Sequence, residues 1–279
     1  MKRFGLWVLA ATLICGATVF TSCEGIIDNT VPTQKKYRLV QRKQVYSDTD
    51  ADVYYITDYS YDDQGRLKSY TRTGYNVDDI VAKFTYTYGD HYIIENRGDY
   101  SFYLTLNDDG LIVKHDHITT EDGVETITPN YLFGYGDGRL LTYEELEVNS
   151  LENFHWENGD LMYYMKDNME SSVSMTEYTR SGQSVDNGYT NCPLSTMSEG
   201  LYLMGYYGKP SKHLISHIKT VADTSGGTAQ SLTERDYTYT IADGHVVEMV
   251  DNASVIAKMG IIEYKTERTI TTTFTYEEY

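Results

Sequence analysis

Tyr59-Ser60-Tyr61-Asp62-Asp63-Gln64-Gly65-Arg66-Leu67 decides the fold. Tyr59 and Tyr61 fall on one face of an extended segment. Asp62 to Gly65 then reads as a turn in which glycine takes a positive φ, and Leu67 opens an aliphatic return strand. The same aromatic–turn–aliphatic phrase returns at Asp109-Gly110, Asp137-Gly138, Asn158-Gly159 and Asp243-Gly244, and more weakly at Gly89-Asp90. From Gly65 the glycine-to-glycine steps are 24, 21, 28 and 21 residues, the trace of a repeated hairpin.

The intervening residues alternate as strands should. Tyr100, Phe102, Leu104 and Leu106 share one side, with Ser101, Tyr103 and Thr105 opposite. Arg139 to Tyr143 and Leu161 to Met165 carry apolar residues on both sides and are expected to be covered on both faces. The final run from Ile261 to Tyr276 is long for one strand, so a bulge or bend is expected within Thr269 to Thr273. The fold class is all-β: a large antiparallel meander of hairpins curled into a closed or partly open barrel. One short helix is expected in an insertion at about 182–210. There Thr196 and Glu199 have capping-box spacing, Met197, Leu201 and Met204 share a helical face, and the segment is expected to plug the sheet.

Composition narrows the function classes. The chain has 279 residues with 28 tyrosines and 4 prolines, which favours pleated sheet and excludes an all-α fold. Its net charge of −18 repels polyanions, so no nucleic-acid partner is expected.

The N-terminus reads as an address. Lys2 and Arg3 precede an uncharged run from Phe4 to Phe20, the pattern of a secretory signal. The run ends Val19-Phe20-Thr21-Ser22-Cys23, which resembles the lipobox of bacterial lipoproteins. Bulky Leu13 and Ile14 disfavour Cys15 as the processed cysteine. The expected organisation is a signal peptide at 1–22, a lipidated tether at 23–36 with Cys23 as the acyl attachment, and one β domain at 37–279. Cys192 is then the only free thiol, and nothing beside it marks a nucleophile.

Tyr59-x-Tyr61-Asp62-x-x-Gly65-Arg66-Leu67 and Tyr135-Gly136-Asp137-Gly138-Arg139-Leu140 resemble the YD repeat of Rhs-type proteins. Together with the lipobox and the hairpin meander, the chain from Tyr37 to Tyr279 is similar to a family of Bacteroidota putative lipoproteins with a porin-like fold. That resemblance implies a barrel-like sheet and an envelope address, and it brings no catalytic residues. A lipid-facing barrel conflicts with Tyr143-Glu144-Glu145-Leu146-Glu147, where charges occupy both faces.

The chemistry-bearing candidates are sparse. His115 and His117 share a strand face, but two ligands do not define a zinc site. His213 and His217 are four apart without a following glutamate. The carboxylate pairs Asp62-Asp63, Asp78-Asp79, Asp108-Asp109 and Glu144-Glu145 sit mostly in turns, where Asp caps its own backbone. No catalytic, cofactor-binding or metal residue is assigned, and no cofactor is expected. The reading is an outer-membrane lipoprotein facing the periplasm or the cell surface. It touches the membrane through acylated Cys23 only and binds a glycan, peptide or protein on an aromatic-rich β surface. The alternatives are a carbohydrate-active hydrolase using paired carboxylates and a carrier of a hydrophobic ligand in a half-barrel.

Overall fold

The computed structural model describes residues 36–47, 53–75, 81–121, 124–168, 172–184, 197–224, 229–259 and 262–279. The chain divides into an N-terminal unit, Met1–Lys35, and a second unit, Lys36–Tyr279, which is the one described below.

The second unit is a closed barrel of sixteen strands in which every sequence neighbour pairs antiparallel and the last strand closes on the first. The strands are β1 (Tyr37–Tyr46), β2 (Val53–Tyr61), β3 (Leu67–Tyr75), β4 (Val81–Tyr88), β5 (Tyr92–Asn96), β6 (Ser101–Leu106), β7 (Ile112–Glu121) and β8 (Val124–Gly136). They continue as β9 (Arg139–Glu145), β10 (Ser150–Glu157), β11 (Asp160–Asn168), β12 (Ser172–Ser184), β13 (His213–Thr224), β14 (Ala229–Ala242), β15 (His245–Met259) and β16 (Ile262–Glu278). Among the described residues there is one helix, the five-residue α1 (Glu199–Leu203), between β12 and β13.

The quoted turn works as its sequence indicates. Asp62 Oδ1 accepts from the backbone N–H groups of Gln64 and Arg66 at 3.0 and 2.8 Å, and Asn107 does the same for Asp109 and Leu111. At Asp137-Gly138, Asn158-Gly159 and Asp243-Gly244 both residues have positive φ, the two-residue turn whose twist matches the strands.

These turns gather at one end of the barrel, and there the ladder is repeatedly bulged. An extra residue follows Leu39, Leu67, Ile112, Leu140, Leu161, Ile215 and Val246. A bulge aims its aliphatic side chain inward and takes a carbonyl out of the ladder. Side-chain donors from the end of the next hairpin recover six of those seven carbonyls. Tyr61 bonds Leu39 O at 2.6 Å, Tyr88 bonds Leu67 O at 2.7 Å, and Tyr135 bonds Ile112 O at 2.7 Å. Trp156 bonds Leu140 O at 2.7 Å, Arg180 bonds Leu161 O, and Tyr276 bonds Val246 O at 2.8 Å. At four of the bulges the preceding residue then covers the donor. Arg38 stacks over Tyr61, Arg66 over Tyr88, Arg139 over Trp156, and His245 packs on Tyr276.

The inserted segment closes this end. Met197, Ser198, Leu201 and Tyr207 are buried, and the three apolar ones join a single cluster with strand residues from around the barrel, among them Leu67, Ile93, Leu104, Leu161 and Val246. The chain past α1 is sewn to the turns: Lys209 N–H bonds Gly138 O, Lys212 N–H bonds Gly159 O, and Ile112 N–H bonds Tyr206 O. Gly200 lies so close to Leu67 that a Cβ would fall 2.3 Å from its Cδ2. The segment is a plug, as its apolar face suggests.

Several expectations need correction. The N-cap is Ser198 with no side-chain cap bond, because its Oγ instead meets the Tyr86 hydroxyl at 2.6 Å. Thr196 lies outside the described residues, Glu199 pairs with Arg42, and Met204 is exposed. The pairing of β16 with β15 is continuous through Thr269–Thr273, and the irregularity sits in β1 between Leu39 and Gln41. Strands β9 and β11 are covered on one face only, since Leu141 and Met165 are exposed.

The bonded bulge yields a test. Tyr88→Phe keeps the ring and removes the donor to Leu67 O, so unfolding free energy should fall by about 1–2 kcal/mol, read as a lower urea midpoint at unchanged m-value.

Candidate functional site

Beyond the plug the interior changes character. Ion pairs line the inner wall: Arg97 with Glu95, Lys166 with Glu152 at 3.2 Å, Arg235 with Asp251 at 2.5 Å, and Arg42 with Glu199 of α1. Their register places them inward. Glu95 pairs opposite Phe102, Glu152 opposite Tyr143, and Asp251 opposite Tyr237, all of them core residues. Water reaches this layer, because the side chains of Lys166, Arg235 and Glu199 remain 33%, 29% and 31% exposed. The barrel is therefore a cup, with an apolar plugged floor and a polar wetted lumen.

Burial shapes the electrostatics. It raises the pKa of Glu152 against the opposing pull of Lys166, and it raises that of Asp251 against Arg235. His115 is almost fully buried on β7 against Phe102 and Tyr131, with neither ring nitrogen hydrogen-bonded. Burial first, then Arg97 and His117, hold its pKa down to about 3, so it is neutral at physiological pH.

The arc from β2 to β7 is aromatic and cationic: Arg72 lies over Tyr55, and Arg97 lies between Phe84 and Phe102. The opposite arc offers hydroxyls, with Thr176 and Thr220 bonded at 2.9 Å and Thr233 next in register. A void near the plug, lined by Leu140, Phe154, Trp156, Leu161 and Tyr178 among others, measures about 20 Å³, room for one water.

The candidates named from sequence disperse. His115 and His117 do share the inner face, both touching Phe102, yet among the described residues no three potential ligands meet at a metal-binding distance. His213 bonds Asp160 and His217 bonds Asp236, so each is committed to its own carboxylate on a strand. Asp62 caps its turn, and Glu145 alone of its pair faces the lumen, near Lys166. Cys23, Cys192 and Asp78-Asp79 lie outside the described residues. The lumen pairs were missed because each acid is remote in sequence from the others and carries no motif. The signal that marks them is a charge at an inward register position, visible once strand pairing is known.

A family model for a domain of unknown function with porin-like fold (DUF4595) matches residues 59–248. The chain belongs to this family. Its fold is also that of two solved structures. One is a porin-like protein from Bacteroides uniformis ATCC 8492, 20% identical, TM-score 0.58, with 85% of this chain and 96% of that one covered. The other is a porin-like protein from Bacteroides vulgatus ATCC 8482, 11% identical, TM-score 0.52, with 86% and 98% covered. No curated protein matches the chain.

The neutral buried His115 has a measurable consequence. Its folded pKa lies below the ordinary value near 6.5, so only the unfolded chain takes the proton as pH falls from about 6.5 towards 3. Stability contributed by His115 is full above that window and drains through it, by at most about 1.4 kcal/mol per pH unit. Chemical denaturation of His115→Leu at pH 7 and pH 4.5 should show a smaller acid-side loss than the parent protein.

Proposed function

We propose that this protein is a lipid-tethered envelope cup whose open polar end binds a glycan or peptide, without catalysis. The observation that carries the reading is the pairing of a sealed apolar floor with a water-accessible, aromatic- and ion-lined wall. Fully buried Leu201, Leu214 and Val246 in the floor favour a closed end over a conducting channel along the barrel axis. Stacking rings and fixed donors are what an extended sugar or peptide needs, since the apolar face packs while hydroxyls and amides bond.

The outer wall supports a water-facing barrel held by its acyl group. Exposed Asp58, Lys83, Glu177 and Asp236 each sit one residue from an inward ring, respectively Tyr59, Phe84, Tyr178 and Tyr237. Charges placed so along lipid-facing strands cost up to a few kcal/mol each, with lysine and arginine at the midplane the most expensive. Acylation of Cys23 supplies attachment instead, each buried methylene contributing about 0.8 kcal/mol. The void beside Leu140 and Trp156 holds about one water, too little for a hydrophobic ligand at that place.

Two measurements check this reading. Cys23→Ala should abolish incorporation of a labelled fatty acid and move the protein from the membrane fraction to the soluble one. The purified domain on glycan and peptide arrays should capture at least one class, and capture should fall when lumen residues, and not outer-wall residues, are substituted. A folded protein that captures nothing contradicts the binding role.

One observation favours a second reading. Burial raises the pKa of both Glu152 and Asp251 on the inner wall, the direction a general acid needs, although Lys166 and Arg235 pull the other way. A hydrolase would cleave members of a chromogenic glycoside panel and lose that activity in Glu152→Gln. A panel with no turnover leaves the cup as a binder.

A further inference from the structure

Three arginines in the lumen are answered by acids. Arg42 has Glu199, Arg97 has Glu95, and Arg235 has Asp251. Arg72 on β3 has no ion pair among the described residues. It stacks 4.3 Å from the ring centroid of Tyr55, and its buried Nε has no hydrogen-bond acceptor. Arg72 is half-buried, and a shielded Nε–H with neither an acceptor nor a counter-charge beside it marks the place for an anion.

Its neighbours form a site. Arg42, Thr57 and Arg72 are direct register partners on β1, β2 and β3, so two arginines flank one threonine across a span of about 10 Å at strand spacing. One row towards the open end, Thr272, Gln44 and Tyr55 are register partners on β16, β1 and β2. Thr272 is 1% exposed and its Oγ1 has no partner, a buried hydroxyl facing the same patch. Ala82 opposite Arg72 is small, and the ring of Tyr55 fixes the guanidinium plane. Glu199 already neutralises one of the two arginines, so the patch carries one unanswered positive charge.

We propose that Arg72, with Thr272, Gln44 and Arg42 around it, is a carboxylate-binding subsite that selects a monoanionic ligand such as a uronic acid residue of a glycan. A planar fork and a planar carboxylate pair through two parallel N–H···O bonds, and one net charge matches one anion. The placement also resolves an oddity of a chain with net charge −18: the lumen is where an anion meets unopposed positive charge. The inference deepens the binding reading above and rests on it for the rest of the ligand.

The test uses the folded domain and two monosaccharides that differ in charge. Arginine Nε–H resonances are followed by ¹⁵N NMR during titration with glucuronate or glucose. Glucuronate should shift the Arg72 and Arg42 signals, and glucose should leave them unmoved. Arg72→Gln should weaken the glucuronate response at least tenfold, with Arg72→Lys intermediate because a point charge lacks the fork, and near-UV circular dichroism should confirm that both variants are folded. Unmoved Arg72 at tens of millimolar glucuronate, equal shifts with glucose, or an unaltered response in folded Arg72→Gln overturns the subsite. An array ligand that binds the lumen without touching Arg72 defeats this inference and leaves the cup reading standing. A glucuronate shift at Arg72 with blank arrays supports the subsite and defeats the wider glycan or peptide reading.

Discussion

A carbonyl removed from its ladder and buried at the plugged rim must find a donor, and much of this molecule follows from how that need is met. Leaving such a group unsatisfied costs about 1–3 kcal/mol, and the rim has many of them. Six are answered by a side chain from the following hairpin, so the repeats are tied to one another by side chains as well as by strand pairing. The bulge that creates the need also points an aliphatic residue into the core. Polar satisfaction and hydrophobic burial are two results of a single backbone irregularity.

That coupling explains the recurring phrase letter by letter. In Tyr61-Asp62-x-x-Gly65-Arg66-Leu67 the tyrosine serves the preceding repeat, the aspartate caps the turn, and the glycine takes φ of 77°. The arginine covers the aromatic donor of the next repeat and the leucine fills the floor. Where the donor is itself a cation, the covering residue changes sign. Arg180 takes the aromatic's place, and Asp160 precedes Leu161. Burial, the larger effect, opposes the charge on Arg180, and Asp160 is the next influence and supports it. At five of the seven bulges the preceding position follows the electrostatics of its partner, a cation or histidine over a ring and an acid beside a guanidinium; Leu111 and Leu214 are the exceptions.

This is also why the fold was legible and the lumen was not. Turn residues and alternation are local, so Gly65, Asn107 and the Asp-Gly pairs announce hairpins from the sequence alone. Closure was left open between a complete and a partial barrel because it depends on β1 meeting β16, a pairing that no local signal encodes. The two-sided apolar runs at Leu141 and Met165 misled for a related reason: an exposed leucine or methionine on a wet outer wall looks the same in sequence as one under a second layer. Glu199 was read through its distance to Thr196, whereas its partner Arg42 lies 157 residues away.

The distribution of charge links the fold to its use. A cup floor needs only apolar side chains, and a buried ion pair is seldom more stable than a well-packed hydrophobic pair of the same volume. Retaining Arg97 with Glu95, Arg235 with Asp251 and Arg42 with Glu199 just above the floor therefore has no necessary stabilising purpose. Their partial exposure keeps water in the upper barrel, and their fixed geometry presents charges that need no reorganisation when a polar ligand arrives. Arg72 departs from this balance, held in orientation by Tyr55 with no acid beside it among the described residues. Where Arg42, Arg97 and Arg235 are neutralised within the chain, Arg72 is left positioned to take its counter-charge from outside.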